Sequence, residues 1–177
     1  NPDLPLFSFI GRFAGEKGAD MLPDIIRRAI QETGGELNFI VLGSGNLHLE
    51  HVLKEMKKEF HINFALDLGY KEYLSHKIYA SSDFLLMPSR VEPCGLNQMY
   101  AMRYGTIPIV RYTGGLKDTV KDIASGGYGL NYTFPGVDDA VHAIKRALYF
   151  YMDEELMKNL RKVMINLDFS WENSAKK

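Results

Sequence analysis

Short apolar runs, each followed by a glycine-bearing turn, alternate along this chain with longer stretches whose apolar residues fall three and four apart. The runs are residues 5–10 (PLFSFI), 36–42 (ELNFIVL), 61–67, 83–88 and 106–111, with a shorter extended piece at 128–132. Each is too short for a helix of ordinary length and reads as a strand. Between them, residues 18–33 place apolar side chains at 21, 22, 25, 26, 29 and 30, and Gly34-Gly35 stops that helix. Residues 46–60 form the next, with Asn46 as its cap, Leu49, Val52, Leu53 and Met56 turned inward and Lys54, Lys57 and Lys58 outward. Residues 71–80, 96–104, 138–151 and 154–166 follow the same helical period, and 116–123 gives a helical turn. Such alternation predicts an α/β fold: a doubly wound, Rossmann-like parallel sheet with helices on both faces. At 177 residues and 46% hydrophobic composition, one domain can bury a core of this kind. No internal repeat or low-complexity tract interrupts it.

Right-handed crossovers bring all strand-to-helix loops to one edge of the sheet. These are residues 11–17, 43–46, 69–70, 89–95 and 112–115, and they hold most of the glycines together with two cations, an acid and an aromatic. Residues 89–116 (SRVEPCGLNQMYAMRYGTIPIVRYTGGL) dominate that edge. Pro93 biases Glu92 towards an extended conformation, so a stiff turn presents the acid just before a helix. Glu92 has two readings: an acceptor for sugar hydroxyls, or a loop carboxylate paired with Arg90 or Arg103. Arg12 and Lys17 flank a glycine-bearing loop and suit a diphosphate; the alternative is a strand-end salt bridge for Arg12 and a solvated Lys17. Tyr70 follows Gly69 at a strand end, placed to stack on a base or to cap the core. Gly43-Ser44-Gly45 begins a dinucleotide fingerprint whose third glycine is replaced by His48, which argues against an oxidoreductase. His48 and His51 have no cysteine near them in sequence to complete a metal site, and Cys94 has no histidine partner.

Net charge is −1, which gives a polyanion such as nucleic acid nothing to grip, and no run approaches the roughly 18 apolar residues of a membrane span. One cysteine forms no intramolecular disulfide and fits a reducing compartment. The first residues lack the basic start of a signal peptide, and both ends read as cut from something longer.

Residues 89–119 (SRVEPCGLNQMYAMRYGTIPIVRYTGGLKDT) resemble the starch and glycogen synthases, with E-P-C-G-L and T-G-G-L in register. GRFAGEKGAD, VLGSGN, GYKEYLSHKIYASSDFLLMPSR and the closing FSWENSAKK resemble that family in the same order, so the likeness spans the chain. It implies a retaining glycosyltransferase of the two-domain GT-B architecture, of which this chain is the C-terminal, nucleotide-sugar-binding domain. Arg12 and Lys17 match the pair that grips the distal phosphates of ADP-glucose or UDP-glucose, and Glu92 the acid beside the donor glucose. Cys94, Gly95 and Leu96 match the turn that approaches sugar and phosphate, Tyr70 the aromatic on the base, and Thr113, Gly114 and Gly115 a loop near the donor. Gly43, Ser44 and Gly45 complete the implied donor positions. Asn97 stands where some members have Thr, and Tyr100 where related GT-B enzymes carry a second Glu, as is usual in the synthases. The implied partners are the nucleotide-sugar, an α-glucan and an N-terminal domain that supplies the catalytic-centre histidine; no metal or other cofactor, nucleic acid or membrane is implied. The location is cytoplasmic in a bacterium, plastidial in a plant. A sucrose- or trehalose-type synthase and a non-catalytic nucleotide- or glucan-binding module are the alternatives.

Overall fold

The computed structural model describes residues 3–170. Six strands, β1 (Leu6–Phe13), β2 (Asn38–Gly45), β3 (Phe64–Leu68), β4 (Phe84–Met87), β5 (Ile107–Arg111) and β6 (Leu130–Tyr132), form one sheet in the order β3-β2-β1-β4-β5-β6. Every pairing is parallel. The chain winds outward from β1 to β3, then returns across the sheet and winds the other way. Because crossovers keep one hand, this reversal puts the helices between β3 and β6 on the opposite face, and those after β6 return to the first.

The helices are α1 (Leu22–Glu32), α2 (Leu47–Glu59), α3 (Glu72–Ser81), α4 (Asn97–Arg103), α5 (Leu116–Thr119), α6 (Val137–Tyr151) and α7 (Glu154–Ile165). One face carries the larger core, where Phe7, Phe9, Phe39, Val41, Phe84, Leu86, Ile107 and Ile109 meet α1, α2, α6 and α7. The other is smaller, with Leu85, Met87 and Val110 under Tyr79 of α3, Ala101 of α4 and Leu116 of α5. Side chains alternate between these faces along each strand, which is why 84 and 86 go one way and 85 and 87 the other. Asn46 caps α2 as expected, accepting from the Leu49 amide at 3.0 Å.

Several boundaries differ from the sequence reading, first the end of β1, which runs through Gly11 and Arg12 to Phe13 rather than stopping at Ile10. Gly43-Ser44-Gly45 belongs to β2, paired with Gly11–Phe13, rather than to a loop. Bare Gly43 allows that close approach, since a Cβ there would lie 2.0 Å from the Gly11 carbonyl oxygen. Two 3-10 turns, Gly15–Lys17 and Ala19–Met21, precede α1, which starts at Leu22 rather than 18. Residues 61–63 form a turn before β3, fixed by the Asn63 amide, which donates to the Gly35 and Leu37 carbonyls. The turn at Leu116 ends at Thr119 because Val120 is already extended.

Candidate functional site

The topology makes one opening. β1 pairs with β2 over eight residues but with β4 only at Phe7 and Ser8. Beyond Ser8 the two neighbours diverge, and a crevice opens above their carboxyl ends, where strand order reverses. The loops after β1 and β4 form its walls.

Those loops are stitched together through their backbones. The Glu16 carbonyl accepts the Arg90 amide at 2.8 Å and the Val91 amide at 3.1 Å. Arg90 donates to the Gly15 carbonyl at 2.8 Å and to both Asp20 oxygens at 2.5 and 2.8 Å. This hydrogen bonding holds the Asp20 carboxyl below its usual range. From β5, Arg111 donates to the Ser89 carbonyl at 2.7 Å and also to the Arg90 carbonyl. Gly114, at φ +46°, lies so close that a Cβ would sit 1.9 Å from the Glu92 carbonyl oxygen. The Gly115 amide donates to that same oxygen at 3.0 Å. Thr113–Gly115 therefore buttresses the acid-bearing turn from behind; none of the three lines the crevice cavities described below.

On this frame Glu92 is only 6% exposed. Its Oε2 accepts Lys17 Nζ at 2.6 Å and the Ser89 hydroxyl at 3.2 Å. Both partners suggested by nearness in sequence are engaged elsewhere: Arg90 with Asp20, Arg103 with the Ile165 carbonyl at 2.7 Å. The Lys17 side chain is 27% exposed, so it is no solvated surface lysine. Arg12 does make a strand-end bridge, 2.6 Å to Glu16, yet its side chain remains 73% exposed.

Arg12, Lys17 and Glu92 line one cavity of about 210 Å³ with Ser89, Leu96 and Asn97. A larger cavity of about 450 Å³ adjoins it, sharing Ile10, Gly11, Arg12 and Asn97. Gly43, Ser44, Tyr70, His76, Tyr79 and Tyr100 form part of its lining. Asn97 Nδ2 donates to the Ile10 carbonyl at 2.7 Å and so ties α4 to the end of β1 at the junction of the two. Tyr70 is 86% exposed and caps no core. Burial pushes the Tyr79 phenol far up, with Tyr100 and Tyr70 adding to the shift, so it stays a neutral donor. Gly45 lies outside both cavities, its amide turned to Glu50 at 3.0 Å. Cys94 is exposed and lines neither cavity.

Sequence reading missed Gln98, Arg111 and Ser89. Gln98 is wholly buried; its Nε2 lies 3.3 and 3.1 Å from the Cys94 and Gly95 carbonyls and 3.1 Å from Thr119 Oγ1. A glutamine inside an apolar helix face was its one signal. Ser89 sits three residues before Glu92, a spacing at which a hydroxyl can reach a carboxylate.

Among the described residues, no group of three or more His, Cys, Asp or Glu could hold a metal ion, and His48 and His51 stand exposed on α2. No described helix is long and apolar enough to cross a membrane. Of the closing FSWENSAKK motif, residues 171–177 lie outside the described ones.

Comparison with known proteins gives a consistent result. The family model described as "Glycosyl transferases group 1" matches residues 1–165. A glycogen synthase from Flavobacterium johnsoniae is 49% identical over 172 residues, covering 97% of this chain and 36% of the relative. One from Aquifex aeolicus is 42% identical over 174 residues, covering 98% and 36%. Among solved structures, the catalytic domain of starch synthase IV from Arabidopsis thaliana, bound to ADP and acarbose, superposes with a TM-score of 0.87 at 38% identity. That match covers 98% of this chain and 36% of the plant domain. The chain thus spans little more than a third of the length of these relatives.

Proposed function

The chain belongs to the group 1 glycosyl transferases, and from that premise we propose that it is the donor-binding domain of a starch or glycogen synthase. The reaction moves glucose from ADP-glucose or UDP-glucose to the 4-hydroxyl end of an α-1,4-glucan with retention. One observation carries this reading: Arg12 near the end of β1, Lys17 in the turn after it and Glu92 in the loop after β4 converge on a single cavity at the switch point, beside a larger one walled by Tyr70. A nucleotide bound to the plant relative supports it.

The larger cavity takes the nucleoside, with Tyr70 against the base. The smaller one takes the diphosphate and hexose. When the glucose C1–oxygen bond breaks, its electron pair leaves with the nucleoside diphosphate, and charge builds on phosphate oxygens as the sugar becomes cationic. Arg12 and Lys17 stabilise the first, Lys17 as a largely shielded cation and Arg12 as an exposed one at the cavity's edge. Glu92 accepts hydrogen bonds from sugar hydroxyls and holds the ring in place. The glucan hydroxyl attacks C1 from a site on a preceding N-terminal domain, which also carries the remaining catalytic group, and its proton passes to the departing phosphate. The protein works in the cytoplasm of a bacterium or in a plastid.

Calorimetric titration of ADP and UDP separates this from the other readings. Lys17→Ala should weaken diphosphate binding about tenfold or more, in keeping with a charge-assisted contact. Residues 1–177 alone should bind nucleotide yet show no synthase turnover. Unaltered binding in the variant, or turnover by the lone domain at the full enzyme's rate, contradicts the assignment.

A further inference from the structure

The Lys17–Glu92 pair occupies the floor of the smaller cavity, and we infer that it exchanges partners on binding so that the site prefers a sugar nucleotide over the bare nucleoside diphosphate left after transfer. Glu92 is then the residue that sets this preference. The inference rests on the donor-site reading above and extends it to the order of affinities.

Burial is the starting point. At 6% exposure, Glu92 has almost no water to hydrate its charge, so its protein partners decide how well it is tolerated. Its Oε2 has two of them, Lys17 Nζ at 2.6 Å and the Ser89 hydroxyl at 3.2 Å. The guanidinium groups of the surrounding frame give no relief, because Arg90 is committed to Asp20 and the Gly15 carbonyl, and Arg111 to the Ser89 and Arg90 carbonyls. Arg12 points to Glu16. Lys17 is therefore the only cation recorded on Glu92 among the described residues.

A diphosphate entering this cavity draws Lys17 towards itself, and Glu92 keeps only Ser89. Taking one partner from a buried ion pair costs far more than the pair is worth in net stability. A hexose attached to the distal phosphate carries hydroxyl donors into the same cavity and returns a hydrogen bond to Glu92. A bare diphosphate brings no donor, and its terminal phosphate adds negative charge facing the carboxylate. The empty and donor-filled sites thus satisfy Glu92, whereas the product-filled one does not. Product release is favoured by the same residue that orients the donor.

The test measures dissociation constants of ADP, ADP-glucose, UDP and UDP-glucose for the full chain, without acceptor, in wild type and Glu92→Gln. Wild type should bind the sugar nucleotide more tightly than its diphosphate. In Glu92→Gln the bare diphosphate should tighten by about tenfold, as expected for removing a nearby like charge in a partly dehydrated site. The sugar nucleotide should gain less, so the ratio falls towards one. An unchanged ratio, or weaker diphosphate binding, overturns the inference. Lys17→Ala separates the two levels: if it leaves every nucleotide unaffected, the donor site itself is misassigned. Glu92→Ala repeats the measurement with a different shape should the glutamine variant unfold. In wild type, carbon-13 resonance of the Glu92 carboxyl should shift on adding ADP and move back when ADP-glucose replaces it. A signal indifferent to ADP overturns the exchange whatever the variants do.

Discussion

The two ends of the crevice are built in opposite ways. At the smaller cavity, the backbone around Glu92 is held by Arg111, Arg90, Glu16 and Gly115, and the acid itself is buried and doubly bonded. At the larger cavity, Tyr70 stands 86% exposed at the tip of the loop after β3. The side chain of Lys71, beside it, is bonded at 2.6 Å to Asp67 on β3. On the proposed assignment the smaller cavity is where charge develops during a transfer, and there displacement of a fraction of an ångström is costly, which the frame around Glu92 resists. Where a flat base is gripped by one ring face, adaptability costs little. The difference teaches that reaction and recognition can share one opening while drawing on different parts of the fold.

The largest break in this contrast should come from Gly114→Ala. Its φ of +46° and the 1.9 Å approach to the Glu92 carbonyl oxygen leave no room for a methyl group. Roughly 3 kcal/mol of stability should be lost, read as a lower thermal midpoint, along with diphosphate binding. Arg111→Met should cost about 2 kcal/mol, the scale of charge-assisted hydrogen bonds to carbonyls left without partners. Urea unfolding measures it, and ADP affinity should fall with it because the Ser89–Glu92 loop loosens.

Tyr70→Ala should do the reverse. Stability should change by less than about 0.5 kcal/mol, as for an exposed side chain, while ADP affinity falls about tenfold, within the range of base–aromatic stacking. Inorganic pyrophosphate, which has no base, should bind as before. Equal losses for both ligands would dissolve the distinction between the two ends.

The smallest effect concerns pH. Arg90 holds the folded-state pKa of Asp20 below its ordinary value of 3.8. A lowered folded pKa means that the clamp's contribution is present above the unfolded value and is lost as pH falls through the folded one. Urea midpoints of wild type should therefore decline slightly more steeply below about pH 4 than those of Asp20→Asn. Parallel curves would show that the clamp adds nothing to stability.

Much of this was legible in the sequence, and the gaps have physical reasons. Alternation of apolar runs with helical periods gave the parallel sheet, its helices and the edge where loops gather. It misplaced Gly43–Gly45 because a Gly-Ser-Gly triplet reads locally as a turn, whereas pairing with Gly11–Phe13, some thirty residues earlier, makes it strand. It brought Arg12, Lys17 and Glu92 to one edge, and the resemblance named them as site residues. The ion-pair alternative it offered for Glu92 named Arg90 or Arg103, because charge partners were sought nearby in sequence; Lys17 lies 75 positions away and meets it through the β1–β4 junction. The buttresses Gln98 and Arg111 were missed for a related reason: each acts largely on backbone carbonyls, which no side-chain pattern announces, and a lone glutamine on an apolar helix face was the one signal of either. Of the donor positions inferred, Gly45, Cys94, Gly95 and residues 113–115 line neither cavity, Thr113–Gly115 packing behind the site instead.

The central claim is that a nucleoside diphosphate lies along this crevice, phosphates at Arg12 and Lys17 and base at Tyr70. Diffraction from crystals of the full chain grown with ADP tests it most directly. The account expects the distal phosphate oxygens about 2.7–2.9 Å from Lys17 Nζ and the Arg12 guanidinium, the usual length of such charge-assisted bonds, with adenine against the Tyr70 ring. Nucleotide bound away from the β1–β4 junction, with the Lys17–Glu92 contact undisturbed, would contradict it.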